Sequence, residues 1–304
     1  MKNKDDLIKE IQELKKSRNA VILAHNYERG EVQDIADYTG DSLELARIAA
    51  NVTEEVIVFC GVYFMAETAA ILNPGKTVLI PAPEAGCPMA DMINAEQLRE
   101  FKSKHPGAIT VCYVNSTAEV KAECDICVTS GNAEKVMAQY PADKEVIFVP
   151  DQHLGTHIAN KFGVSYNLWP GYCPIHAKLL KEAIEEARKE HPNAIVMVHP
   201  ECPQAIRDSA DQVLSTGGMC AFVKSSPNEE FIIGTEIGIL HRLEKENPGK
   251  KFYPASAELV CKDMKFTTLE RVAESLRTMT TIVTVPEEIS KRAKHAIDAM
   301  LAIK

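Results

Sequence analysis

Short apolar runs of four to six residues alternate along this chain with amphipathic stretches of helical period. In the first third the runs AVILA, EVIVFC and KTVLIP are separated by EVQDIADYT with DSLELARIAAN, and then by FMAETAAIL. Runs this short, apolar on both faces and spaced by helical segments, predict parallel βαβ units with both sheet faces covered. Ahead of them, MKNKDDLIKEIQELKK alternates acid and base while Leu7, Ile8, Ile11 and Leu14 recur at helical spacing. That pattern is an amphipathic helix, not a signal peptide. The longest apolar stretch, Val56 to Leu72, is interrupted by Gly61 and Glu67. It falls short of the roughly 20 residues of a membrane span and reads as a buried strand followed by a helix.

The pattern repeats. The stretch NAVILAHNY from Asn19 is echoed by NAIVMVHPE from Asn193, 174 residues on, with a middle copy, GAITVCYVN, from Gly107. In this register His25, Tyr113 and His199 are equivalent, as are Tyr27, Asn115 and Glu201. The same offsets align Asp37, Asp125 and Asp211, and Ser42, Ser130 and Thr216, positions that the strands did not require. The tetrapeptide NPGK at Asn73 returns at Asn247, again 174 residues on, and 14 residues past each copy stands a cysteine, Cys87 and Cys261. The middle unit supplies Cys173, followed by proline as Cys87 is. Three units of about 87 residues result, predicting three homologous αβα domains around a pseudo-threefold axis: 1–106 with the N-terminal helix, 107–192, and 193–304 with the C-terminal helix.

Ligands of parallel sheets sit at the carboxyl ends of the strands, and the aligned triples lie there. Closed around an axis, each triple becomes a ring. Three thiolates so arranged suit a cubane [4Fe-4S] cluster that leaves its fourth iron without a protein ligand, free to act as a Lewis acid. A Cys₃His zinc site using His176 is the competing metal reading. Ser42, Ser130 and Thr216 stand at apparent helix starts, where hydroxyls and backbone N–H groups attract anions; singly, each also fits a helix cap. His25, His199, Tyr27, Tyr113 and Glu201 add groups that move protons.

Composition narrows the partners. The 304 residues carry a formal net charge of -9, which argues against a nucleic-acid or anionic-membrane binder. Nine cysteines, an odd number, without a secretion signal suggest a reducing, cytoplasmic setting.

The motifs ILAHNY, DIADYTGDS, the Cys-Pro at Cys87, YVNSTAE, VTSGNA, GYCPIH, VHPECP, STGGM, IGTEIG and the cysteine of AELVCKDMK together resemble the quinolinate synthase family over nearly the whole chain. The resemblance implies condensation of iminosuccinate (iminoaspartate) with dihydroxyacetone phosphate to quinolinate, the pyridine precursor of NAD, with loss of phosphate and two waters. It also implies three stacked αβα domains and one [4Fe-4S] cluster with Cys87, Cys173 and Cys261 as ligands and one open iron. His25, Ser42, Tyr113, Val114, Asn115, Ser130, His199, Pro200, Glu201 and Thr216 become the iminosuccinate contacts, and Tyr27, His199 and Glu201 the proton-transfer residues. An L-aspartate oxidase or dehydrogenase supplying iminosuccinate is the implied functional partner. Some members carry a C-terminal CxxCxxC run that this sequence lacks, so thiol-disulfide regulation through it is not expected here.

Rival readings fare worse. GKT at Gly75 to Thr77 lacks the P-loop's earlier glycine, replaced by Ala70, and precedes a strand. No G-x-G-x-x-G opens a helix, and the C-x-x-x-C-x-x-C of S-adenosylmethionine radical enzymes is absent. A non-catalytic iron–sulfur or repeat-based interaction protein has no need of hydroxyls and histidines ringed above its thiols. The C-x-x-C of Cys124 and Cys127 has no cysteine counterpart in the other units and reads as packing, as do Cys60, Cys112, Cys202 and Cys220.

Overall fold

The computed structural model describes residues 3–303; residues 1, 2 and 304, at the outer ends of the first and third expected domains, lie outside the described residues. The first sheet is built from β1 (Ala20–His25), β2 (Tyr38–Gly40), β3 (Val56–Cys60) and β4 (Thr77–Leu79). The second holds β5 (Ile109–Tyr113), β6 (Ile126–Val128), β7 (Val146–Val149) and β8 (Asn167–Leu168). The third holds β9 (Ile195–Val198), β10 (Gln212–Val213), β11 (Glu230–Gly234) and β12 (Lys251–Pro254). All pairings within these sheets are parallel, in the orders β2-β1-β3-β4, β6-β5-β7-β8 and β10-β9-β11-β12. The protein is thus an α/β structure of three alike αβα units.

Both faces of each sheet are buried, which is why its central strands are mostly apolar. In β1, Val21 and Leu23 face one core with Ile57 and Phe59 of β3, while Ile22 and Ala24 face another with Val56 and Val58. In the third sheet Val196, Val198 and Ile232 face one core, and Met197, Phe231 and Ile233 the other. Each buried aliphatic or aromatic side chain contributes about 1.5–3 kcal/mol.

The apolar pattern predicts three strands per unit; the structure has four. The added strand is second in each unit, two or three residues long, and follows an aspartate of the aligned triple. Asp37, Asp125 and Asp211 do one job three times. Each carboxylate accepts the backbone N–H of the first strand, from Ile22 (2.8 Å), Thr110 (2.7 Å) and Val196 (2.8 Å). Each aspartate's own N–H donates to the carbonyl of the same residue, at 2.9, 3.0 and 3.0 Å. The pair fixes where the short strand begins. A periodicity rule has too few residues there to detect it.

The helices join the units cyclically. Helix Ala95–Ser103 packs toward the second unit, where Arg99 lies 2.8 Å from Glu123. Helix Lys181–Glu190 packs on β11 of the third. Helix Leu269–Thr278 returns to the first, lying on β3 and on the N-terminal helix Lys4–Ser17, where Leu269, Val272 and Leu276 share a core with Leu7 and Ile11. The C-terminal helix, Glu287–Leu301, then covers helices Tyr63–Leu72 and Ala118–Lys121 and strand β6, burying Ala293, Ala296, Ile297 and Met300 between the first two units.

Asp125→Ala leaves the buried N–H of Thr110 without its acceptor. Urea unfolding should show a loss of about 1–3 kcal/mol, with the folded far-ultraviolet spectrum retained; a loss within error would mean that the clamp does not set the strand.

Candidate active site and metal centre

Beyond β4, β8 and β12 the chain turns inward, and each of the three loops carries one aligned cysteine. Each cysteine opens a short 3-10 turn, Ala90–Met92, His176–Lys178 or Met264–Phe266. The carbonyls of Cys87, Cys173 and Cys261 accept the N–H four residues on, at 3.1, 3.0 and 3.3 Å. The N–H groups two and three residues beyond each cysteine face its sulfur: Met89 and Ala90, Ile175 and His176, Asp263 and Met264. All three side chains are partly buried on the wall of one partly open cavity of about 100 Å³. Burial pushes the Cys87 thiol up to about 12 and the Cys261 thiol up to about 11, against the pull of those N–H groups. Burial and the nearby Glu201 raise Cys173 likewise. The other six cysteines are buried, and none of the nine is in a disulfide.

Above the thiols stands the ring of hydroxyls and imidazoles. In the first and third units capping falls to the residue before the aligned hydroxyl, and in none of the three to the hydroxyl itself. Asp41 caps helix Ser42–Ala49 and Ser215 caps helix Thr216–Ser225, while Ser130 precedes Asn132 at the start of helix Ala133–Met137. The hydroxyls of Ser42, Ser130 and Thr216 are thereby released from capping, and all three line the cavity. The three helix starts meet there. A Cβ on Gly217 would come within 2.6 Å of Asp41 Oδ2, and one on Gly131 within 3.3 Å of Ser215 Oγ. Asp41 sits against the third unit's helix only because position 217 is glycine.

His25 and His199 are set by one device. In each, Nδ1 faces the N–H of the residue two positions on, Tyr27 at 3.2 Å and Glu201 at 3.3 Å. Accepting there assigns the ring proton to Nε2. For His199 that nitrogen lies 3.1 Å from Ser130 Oγ. Burial, with His199 nearby, lowers His25 to about 3; burial lowers His199 to about 3 although Glu201 opposes it. Both rings are therefore neutral N–H donors at neutral pH.

Glu201 joins two units. Its Oε1 accepts the Tyr113 hydroxyl, and its Oε2 lies 2.8 Å from His176 Nδ1, near but out of line for a hydrogen bond. The His176 ring stacks on His199 with centroids 4.8 Å apart. Burial opposes ionisation of Glu201, but the two histidines and the Tyr113 hydroxyl outweigh it and hold the carboxyl below its usual range. The opposite edge of His176 is 2.7 Å from Thr235 Oγ1, which also meets the Tyr27 hydroxyl. Tyr27, Thr235, His176, Glu201 and Tyr113 thus form one chain of polar contacts. Glu236, beside Thr235, accepts the Cys261 N–H at 3.1 Å and pairs with Lys265 at 2.9 Å, which ties down the third cysteine loop.

Of the residues expected at the site, His25, Tyr27, Ser42, Tyr113, Asn115, Ser130, His199, Glu201, Thr216 and the three cysteines line this one cavity. Val114 instead lines a smaller neighbouring void, and the Pro200 carbonyl turns to Arg207 at 3.3 Å. The sequence reading passed over Thr235, Glu236 and Asn26, and named His176 only as a zinc ligand. Asn26 donates to Thr216 Oγ1 at 3.1 Å and is held by Arg242 at 2.8 Å. Thr235 and Glu236 directly follow β11, at a carboxyl strand end, a position that could have flagged them. No lysine or arginine lines the cavity among the described residues.

Residues 9–302 match the family model described as Quinolinate synthetase A protein. The chain belongs to the quinolinate synthetase A family. It is 57% identical over 293 residues to the quinolinate synthase of Dehalococcoides mccartyi (strain ATCC BAA-2266 / KCTC 15142 / 195), spanning 96% of this chain and 97% of that protein. To that of Methanoregula boonei it is 55% identical over 297 residues, 98% of each chain. To that of Geobacter metallireducens it is 52% identical over 299 residues, 98% of each. A likeness to a solved Plasmodium falciparum E-1-hydroxy-2-methyl-but-2-enyl-4-diphosphate reductase, at 13% identity and TM-score 0.29 over 94% of this chain and 85% of that one, bears on neither fold nor function. As a quinolinate synthase, the protein is an enzyme of NAD biosynthesis acting on small molecules, and the family implies an iron–sulfur cluster. The residues present fit such a group: three thiols in equivalent turns, each faced by two N–H groups, on one cavity wall.

A buried histidine held neutral favours folding less as pH falls, because the unfolded chain takes up the proton first. For His25, with a folded value of about 3, stability falls from about pH 6.5 downward. His25→Gln should therefore lose about 2 kcal/mol less than wild type between pH 7 and pH 5 in urea unfolding; an equal loss would mean that the ring charges in the folded state.

Proposed function

We propose that this quinolinate synthase condenses iminosuccinate with dihydroxyacetone phosphate, releasing phosphate and two waters, around a [4Fe-4S] cluster held by Cys87, Cys173 and Cys261. The observation that carries the reading is the convergence of the three cysteine turns beneath a ring of neutral donors. When bound, such a cluster with one unligated iron supplies a Lewis acid for the departure of hydroxide as water. An L-aspartate oxidase or dehydrogenase would supply the iminosuccinate, and the reducing cytoplasm suits a protein whose nine cysteines are all free thiols.

The ring suits a dicarboxylate. The hydroxyls of Ser42, Ser130 and Thr216 and the Nε2–H groups of His25 and His199 donate to its oxygens without a formal cation, and Asn115 adds a side-chain amide. The remaining groups move protons. Glu201, kept ionised by its neighbours, is a base, and the Tyr113 hydroxyl beside it returns the proton. On the other side the Tyr27 hydroxyl, hydrogen-bonded to Thr235, reaches His176 through one intervening oxygen. A proton released by the Tyr27 hydroxyl has a path through Thr235 to His176, so proton transfers on the two sides of the cavity can be served by His176 and by Glu201. Val114 and Pro200 lie behind the ring and act through the main chain that presents Tyr113 and His199.

Anaerobic iron and sulfide analysis should return four of each per wild-type chain and a deficit in Cys173→Ala, together with loss of quinolinate formation; a full complement in the variant would exclude Cys173 as a ligand. Glu201→Gln should keep iron and sulfide while turnover falls at least about tenfold, within the range of a positioned acid or base. Undiminished turnover would remove Glu201 from the chemistry.

A further inference from the structure

Where the Cys173 loop meets Glu201, three metal-binding atoms converge. The Cys173 sulfur, a ring nitrogen of His176 and a carboxylate oxygen of Glu201 lie within 4.8 Å of one another. The His176 and Glu201 side chains are also fixed from behind. His176 Nε2 is 2.7 Å from Thr235 Oγ1, and a proton assigned to that nitrogen leaves the Nδ1 lone pair free. Nδ1 is buried and has no hydrogen-bond partner, yet it stands 2.8 Å from Glu201 Oε2. At that separation a proton or a metal ion must lie between Nδ1 and Oε2, and the atoms are out of line for the proton. The other Glu201 oxygen accepts the Tyr113 hydroxyl. An imidazole and a carboxylate, each oriented by an outer partner on the atom that does not coordinate, is the usual construction of a metal site. All three residues line the cavity, the side from which a fourth ligand would come.

We propose that the protein without its cluster binds one zinc-type divalent ion through Cys173 Sγ, His176 Nδ1 and Glu201 Oε2, and that this ion and the cluster exclude one another. Thiolate, imidazole and carboxylate together suit zinc, with the fourth ligand a water. Binding converts the Cys173 thiol to thiolate and releases its proton. The exclusion follows because Cys173 serves in both sites and so rests on the cluster reading above; binding of the ion does not.

The test uses the full chain with Cys87→Ala, which removes a cluster cysteine and keeps all three donors. Anaerobic titration with cobalt(II) should show one equivalent bound with a thiolate-to-cobalt charge-transfer band, displaced by one equivalent of zinc. Adding Cys173→Ala or His176→Gln should weaken cobalt binding at least about 100-fold, and adding Thr235→Val about 10–100-fold. Adding Cys261→Ala should leave it unchanged, with matched circular dichroism throughout. No band, full affinity in the His176→Gln protein, or equal loss with Cys261→Ala would overturn the site. Wild-type protein preloaded with zinc should take up no iron and sulfide; uptake with zinc retained would overturn the exclusion. Iron and sulfide uptake by zinc-free wild type reports on the cluster reading separately.

Discussion

A carboxylate that is ionised yet almost wholly enclosed fixes the way these units meet. Stripped of water, Glu201 would be several kcal/mol less stable than in solution, and its compensation comes from side chains of another unit. It enters from the turn after β9, whereas the Tyr113 hydroxyl and the His176 ring come from the second sheet's strand and cysteine loop. Any slip between the second and third units would leave a buried charge without partners. The first unit is tied in by the Tyr27 hydroxyl on Thr235 and by Asn26 on Thr216. The contacts that locate the groups for chemistry are thus the contacts that orient the units, and the site has little freedom to loosen separately from the fold.

Repetition made much of this legible from the residues. The equal offsets align strand ends with strand ends, so His25, Tyr113 and His199 had to share one face if the units were alike. The three cysteines, separated by about 87 residues each, could meet only around a centre. The offsets also aligned Asp37, Asp125 and Asp211 without saying why. Their role needs the backbone: a carboxylate that clamps the first strand and starts a second strand too short to have a period. What one unit does differently from the others lay outside the offsets altogether. Thr235 and His176 have no chemically alike counterparts in the other units, and their importance comes from contacts between sheets that only the folded chain brings together. The family resemblance named the residues expected around the substrate but not the threonine that joins Tyr27 to His176.

The helices show the same division. Amphipathic period foretold them, yet not which sheet each would cover. Ala95–Ser103 and Lys181–Glu190 pack forward onto the next unit, and Leu269–Thr278 has no unit ahead of it and packs back onto the first, beside Lys4–Ser17. An open row of three units would leave an apolar helix face bare at one end. The ring closes because Leu269, Val272 and Leu276 find Leu7 and Ile11.

The cavity's charge pattern follows from its sulfur. Three thiols that would ionise to hold the proposed cluster are pushed the other way by burial, and two N–H groups aimed at each sulfur offset part of that penalty. A lysine or arginine among them would also favour thiolate, but it would hold any bound carboxylate by the same undirected attraction in substrate and product. Neutral donors avoid this, since a hydroxyl or an Nε2–H favours an anion only where its oxygen meets the hydrogen. The depressed histidines serve the same end: neutral, His25 and His199 offer N–H groups without adding a formal cation to the cavity. Lys265 and Arg242, the two cations that act on His25, are committed to Glu236 and Asn26, where they position loops.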